Sequence, residues 1–194
     1  HVLANTSSLS EHLPHALATF LRDHPQVNID AEELESIGIA EAIAAGRADS
    51  GIAVEQALPS GIERFPFRDD RLVLVVSLQN DLAHRRVVDF GAVTTRDFVG
   101  LSTTSALQTH LATQAARLGA RLRFRARLRD FDAVCRLVAA GVGIAVIPEA
   151  AAKRCARVMA IKPVRIRDAW ATRRLAICVR NLKALPRPAQ QRRT

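Results

Sequence analysis

The stretch LVAAGVGIAVIPEAAA, Leu137 to Ala152, decides the fold. The end of an amphipathic helix runs into Gly141 and Gly143, then an apolar run from Ile144 to Ile147, then Pro148. Only glycine tolerates positive φ without penalty, so this pair lets a helix stop and a buried strand start almost at once. The run shows no polar alternation, which predicts a central parallel strand covered on both faces. Pro148 cannot extend a strand ladder. The chain is therefore expected to turn out of the sheet at the carboxyl end of that strand, where open α/β sheets place ligands.

Outward from this crossover, βα units repeat. Val2 to Ala4 reads as a strand end, followed by NTSS and a helix whose apolar face is Leu9, Leu13, Leu17, Phe20 and Leu21, stopped by His24-Pro25. Val27 to Leu34 alternates as a strand, Gly38 to Ala45 reads as a short helix closed by Gly46, and Ser50 to Val54 returns as a strand. Ile62 to Phe67 and Leu72 to Val76 are two further strands. From Asp97 the pattern restarts with a strand to Leu101, the polar loop STTS, a helix from Ala106 to Leu118 ended by Gly119, and a strand over Leu122 to Leu128. Leu175 to Val179 is a late buried strand. The repetition predicts two similar α/β lobes, the second inserted into the first, with Leu72–Ser77 and Arg173–Arg180 as a two-strand hinge. One continuous doubly wound sheet is the alternative.

Composition narrows the function. The 194 residues are 48% hydrophobic, enough for a sizeable core, and no apolar stretch reaches membrane-spanning length. Cys135, Cys155 and Cys178 are scattered with no CxxC spacing, which fits a reducing cytoplasm; Cys135 reads as a core residue more readily than as a redox sensor. The net charge of +9 is unevenly spread. Residues 1–100 hold 8 basic and 15 acidic side chains, net −7, and residues 101–194 hold 20 and 4, net +16. With no nucleic-acid-reading motif, no tyrosine and few aromatic residues, the basic half reads as a solvated Arg-rich surface or a protein-facing one before it reads as a nucleic-acid site. His12, His15 and His24 lack the spacing of a metal set, and no metal or other cofactor is expected.

Several segments together resemble the effector-binding domain of LysR-type transcriptional regulators. They are Leu13-Pro14 with the following His24-Pro25, the AIAAGRADSGIAV block from Ala42 to Val54, RLVLVVS at Arg71 to Ser77, FVGL at Phe98 to Leu101, and LVAAGVGIAVIP. The resemblance runs nearly end to end and implies the type 2 periplasmic-binding-protein fold, two Rossmann-like lobes on a two-strand hinge. The lobes would be residues 1–75 plus 174–194, and 76–173. It implies a bacterial, cytoplasmic, non-catalytic sensor of a small metabolite, working as a homodimer, or as a tetramer in the full-length protein. DNA would be contacted only through a winged helix-turn-helix that these residues do not contain. Two features depart from the family's pattern: Asn80 to Ala83 stands where the family often has an HPLA-like segment, and ALPRPAQQRRT from Ala184 supports a carboxyl helix poorly.

For the effector site, Thr6, Ser7 and Ser8 lie between a strand and a helix start, and Ser102, Thr103, Thr104 and Ser105 hold the corresponding place in the second lobe. Helix amino termini facing one cleft would hold a small organic anion. The same hydroxyls also read as ordinary N-caps. The resemblance adds Ser36 as an effector contact, with Leu107 and Phe131 as an apolar wall or as core. Asp132 would disfavour an anion, recognise an amine, or cap the helix that follows. A solute-binding receptor of a transport system, or an enzyme on the same fold, are the competing readings. No nucleophile elbow, HExxH or phosphate-cradling GxxxxGK supports the enzyme.

Overall fold

The computed structural model describes residues 1–184. In chain order its first elements are β1 (Val2–Ala4), α1 (Leu13–Asp23), β2 (Ala31–Glu33), α2 (Ser36–Ala44), β3 (Ser50–Val54), β4 (Glu63–Ser77), β5 (Val87–Val88) and β6 (Asp97–Leu101). They are followed by α3 (Ala106–Arg117), β7 (Arg123–Leu128), α4 (Phe131–Ala139), β8 (Ala145–Pro148), α5 (Glu149–Cys155), β9 (Ile161–Ile166) and β10 (Thr172–Val179). The chain forms two compact units, His1–Asp69 with the chain from Arg174 onward, and Asp70–Arg173. It leaves the first within β4 and returns within β10. The carboxyl-terminal sequence expected to form no helix falls almost wholly outside the described residues.

In the first unit β1 runs parallel to both β2 and β3, and β10 lies antiparallel to β3. Ile39 and Ile43 of α2 pack on Ala53 and Ala176, while Leu13, Ile52 and Leu175 close a second cluster. The helix containing Leu13-Pro14 is not uniform. Thr6 and Ser7 are already helical, and over Ser8–His12 the backbone widens into a π turn in which the Leu13 N–H donates to the Ser8 carbonyl. Pro14 supplies the cause: it has no N–H to give to the turn before it, and its ring crowds the carbonyl four residues back. Of the predicted apolar face only Leu13 is buried; Leu9, Leu17, Phe20 and Leu21 stay half-exposed.

The second unit is built on β4, which pairs antiparallel with β8 and β9, while β5 runs parallel to β9 and β6 parallel to β7. Its core is a single cluster including Leu72 to Val76, Phe90, Phe98, Val134, Val138 and Ile144 to Ile147.

The deciding stretch folds largely as read, with two corrections. α4 ends before Gly141, whose φ is +76°, but Gly143 has no positive φ. It is needed because a β-carbon there would stand 2.6 Å from the Asp97 carbonyl oxygen, where the chain crosses β6. β8 is buried along its length, as expected, yet its ladder partner β4 is antiparallel; the parallel contact is one bridge between Phe98 and Ile144. An apolar run reports burial on both faces and carries no record of strand direction.

Other boundaries also moved. The two strands expected at Ile62–Phe67 and Leu72–Val76 are one 15-residue strand, β4, because the charged RDDR between them stays extended. The strand expected over Val27–Leu34 is only Ala31–Glu33. β9 was not anticipated, since Pro163 interrupts IKPVRI; the structure keeps it in the ladder opposite Val75.

Candidate functional site

The carboxyl end of β1 delivers NTSS directly into the helix. Asn5, Thr6, Ser7 and Ser8 are all buried. Thr6, Ser7 and Ser8 were expected in a loop with their hydroxyls as caps, but they form the first helical turn, and the cap comes from Asn5, whose Oδ1 accepts the Ser8 N–H at 2.9 Å. Asn5 Nδ2 and Ser8 Oγ have no hydrogen-bond partner and are shut off from the surface. The Thr6 hydroxyl donates to Glu33 Oε1 at the end of β2, 2.6 Å away. Ser36 is the first residue of α2, and its Oγ accepts the Val54 N–H at 3.0 Å. This bond ties α2 to the end of β3, at the carboxyl end of one of the unit's parallel strands.

In the second unit the loop after β6 holds Ser102 Oγ and Thr104 Oγ1 2.9 Å apart. Ser105 is the N-cap of α3 but makes no side-chain capping bond. Thr103 and Thr104 are exposed, and Leu107 and Phe131 are 3% exposed within the core of this unit. Asp132 does not cap α4. That role falls to Asp130, whose Oδ1 accepts the Ala133 N–H at 2.8 Å. Asp132 instead meets Arg154 Nη1 at 2.5 Å and accepts from Cys155 Sγ at 3.3 Å. The hydrogen bond from Arg154 holds its carboxyl below the usual range. An Asp so engaged is poorly placed to discourage an anion or receive an amine.

Two polar residues of α3 were missed. Gln108 is 4% exposed, with Oε1 lying against Gly100 and Nε2 unpartnered. His110 packs edge-on to Trp170, and burial, followed by the charges of Arg173 and Arg117, pushes it down to about 4. The glycine in FVGL is the one sequence signal that could have pointed to Gln108, since it makes room for a side chain. His110 left none.

All three cysteines are free and buried, and burial raises each thiol, Cys178 to about 11. His12 packs on Phe67 and His24 on Phe20, and among the described residues no group of three potential ligands could hold a metal. Among the same residues no helix is long and apolar enough to cross a membrane.

The model of the LysR substrate binding domain matches residues 1–193. The chain belongs to this family. As a LysR-type domain it is part of a family of transcription factors, not of enzymes. A similar curated protein is the uncharacterized HTH-type transcriptional regulator YwbI of Bacillus subtilis, 24% identical over 136 residues, which make up 70% of this chain and 45% of the relative. The chain thus spans less than half of that regulator. Among solved structures, the LysR-type domain is similar to the Synechocystis CcmR regulatory domain in complex with 2-PG, with a TM-score of 0.75, 19% identity, and coverage of 97% of this chain and 90% of that one. It is also similar to the effector binding domain of QuiR in complex with shikimate, with a TM-score of 0.69, 16% identity, and coverage of 97% and 90%. The BenM effector binding domain with benzoate gives a TM-score of 0.66 and 23% identity, covering 93% and 82%. At these identities the likeness establishes the shared fold.

Proposed function

We propose that this LysR-type domain senses a small organic anion and controls DNA binding or transcription by a longer regulator whose DNA-reading part lies outside these residues. The observation that carries the reading is the family match over residues 1–193. The three solved relatives hold shikimate, benzoate and 2-PG, small acids all. Thr6, Ser7, Ser8 and Ser36 of the first unit, with Ser102, Thr103, Thr104 and Ser105 of the second, are the proposed contacts; Leu107 and Phe131 supply apolar support behind them. Backbone N–H groups at helix starts attract an anion, and the hydroxyls orient it. Calorimetry with a panel of metabolite acids tests this, repeated on Ser7→Ala and Thr104→Val. Each loss should cost about 0.5–1.5 kcal/mol, several-fold in affinity. Unchanged affinity in both variants would place the site elsewhere.

The domain is further proposed to pair with a second copy in an antiparallel sense, first unit against second. Two of its edge strands, β2 and β7, support this. β2 and its flanks carry exposed Asp30, Glu32, Glu33 and Glu35, whereas β7 and its flanks carry exposed Arg121, Arg123, Arg125, Arg127 and Arg129. Opposite charges on the two edges set orientation, and two-fold symmetry repeats the contact. The half-exposed side chains Leu9, Leu17, Phe20 and Leu21 supply apolar area on the same unit.

A further inference from the structure

The second unit carries two basic edges. β7 is one; β5, which pairs with β9 alone, is the other. The β5 edge gathers Arg85 and Arg86, just before the strand, and Arg165 of β9, whose N–H donates to the Arg86 carbonyl at 3.2 Å. Lys162 lies on β9 as well, about 10 Å along the strand from Arg165. All four are exposed, and among the described residues none of these side chains has an ion pair or a hydrogen bond. The acids of this region are already engaged. Asp89 meets Arg167 at 3.5 Å, Asp81 accepts from both Nη1 and Nη2 of Arg96, and Asp168 Oδ2 accepts the Phe90 N–H at 2.8 Å.

Charge on an exposed edge strand prevents edge-to-edge pairing, but charge of either sign does that, and here the free charges are all positive. Of the edges β2, β5 and β7 only β2 is acidic. In the proposed pairing of β2 with β7, no acidic edge of this chain is left for β5, so its partner is a polyanion from outside the chain. A regulator of this family works on DNA, whose duplex presents about one negative charge per 1.7 Å of its axis. The planar fork of arginine matches phosphate oxygens. Phe90 and Trp170 pack on each other, 5.0 Å between ring centres, so among the described residues this edge offers no free phenyl or indole ring for stacking on bases. We infer that the β5–β9 edge is a sequence-independent contact to the phosphate backbone of duplex DNA. It is separate from the effector site. It also departs from the expectation that DNA is touched only by the DNA-reading part outside these residues.

The experiment is fluorescence anisotropy of this chain with a labelled duplex of arbitrary sequence, read across a salt series. Contact with about four phosphates gives a slope of log affinity on log salt of about −3.6, a loss of about a hundredfold between 50 and 200 mM. Arg86→Glu with Arg165→Glu should weaken binding about tenfold or more at 100 mM salt and remove about half of that slope. The edge stays charged in this variant, so its protection against edge-to-edge pairing is kept. Arg47→Glu with Arg136→Glu makes the same change in net charge at two exposed arginines away from this edge. With screening over about 10 Å at 100 mM salt, that pair should alter affinity by less than about twofold. Polyglutamate of matched charge should displace the duplex poorly. No binding of the duplex at 50 mM salt, equal loss in the two reversal pairs, or tighter capture of polyglutamate than of duplex would each overturn the contact, and none of these outcomes bears on acid sensing.

Discussion

Asp70 and Arg173, the first and last residues of the second unit, form a buried ion pair. Their side chains are 3% and 9% exposed, and Arg173 Nη2 donates to Asp70 Oδ2. The pair stands where the chain enters and leaves that unit, so it fastens β4 to the start of β10. Charges this deep are tolerated because each neutralises the other. Asp70→Ala should lower stability by about 3–5 kcal/mol by taking its carboxylate partner from a buried guanidinium, whereas Asp70→Leu with Arg173→Met should recover most of it. Urea unfolding of the single and double variants checks this. A single variant as stable as the native chain would mean that the pair carries little.

Gly141 and Gly143 make different demands, and substitution separates them. Alanine at Gly141 meets no atom within 4 Å but must adopt φ of +76°, a cost of about 1–2 kcal/mol. Alanine at Gly143 faces the Asp97 carbonyl at 2.6 Å, so β6 and β8 must part and the bridge from Phe98 to Ile144 is strained. Overpacking of this kind costs about 1–3 kcal/mol, and here it should also weaken hydrogen-exchange protection of Val99 and Ile144, whose N–H groups bond across that crossing. Gly141→Ala should leave those two amides as protected, relative to the rest of the core, as they are now.

Glycines, apolar runs and the βα rhythm made most of the fold legible in the sequence. They report burial and chain reversal, which are local properties. Strand direction at β8 was not legible, because it depends on β4 some seventy residues earlier. Nor was the continuity of β4, since Asp70 is acceptable in a buried strand only through Arg173. At the candidate site the polar segments were found by their place between strand and helix. The bonding within them was not, because Asn5 takes the capping role in one and Glu33 reaches Thr6 from another strand.

His110 predicts an acid-sensitive step. In the unfolded chain it gains a proton near its ordinary value of about 6.5, whereas burial keeps the folded form neutral down to about 4. The folded-state value is depressed, so its contribution to stability is complete above about pH 6.5 and lost as the pH falls toward 4, by up to about 1.4 kcal/mol per unit. Comparing the native chain with His110→Asn in urea at several pH values isolates this from the carboxylates. The stability difference should move in favour of the variant as the pH drops from 6.5 to 4. A constant difference would show that His110 is protonated as readily in the folded state as in the unfolded one.

The two charged edge strands lead to the last expectation. If β2 of one copy faces β7 of the other, association should tighten as salt falls, because exposed charges are screened beyond about 8–10 Å at physiological ionic strength. Arg121 and Arg129 flank β7, and Asp30 and Glu35 flank β2. Reversing the first pair to glutamate should weaken dimerisation about tenfold in sedimentation, and so should reversing the second pair to arginine. Combining all four reversals in one chain restores complementarity, because the two-fold axis sets each altered edge against the other, and should return the affinity close to that of the native chain. The isolated sets must weaken and the combined set must recover for the pairing to stand. A chain that sediments as a monomer at tens of micromolar in low salt would sink the proposal outright, and equal weakening by all three variants would place the dimer contact on another face.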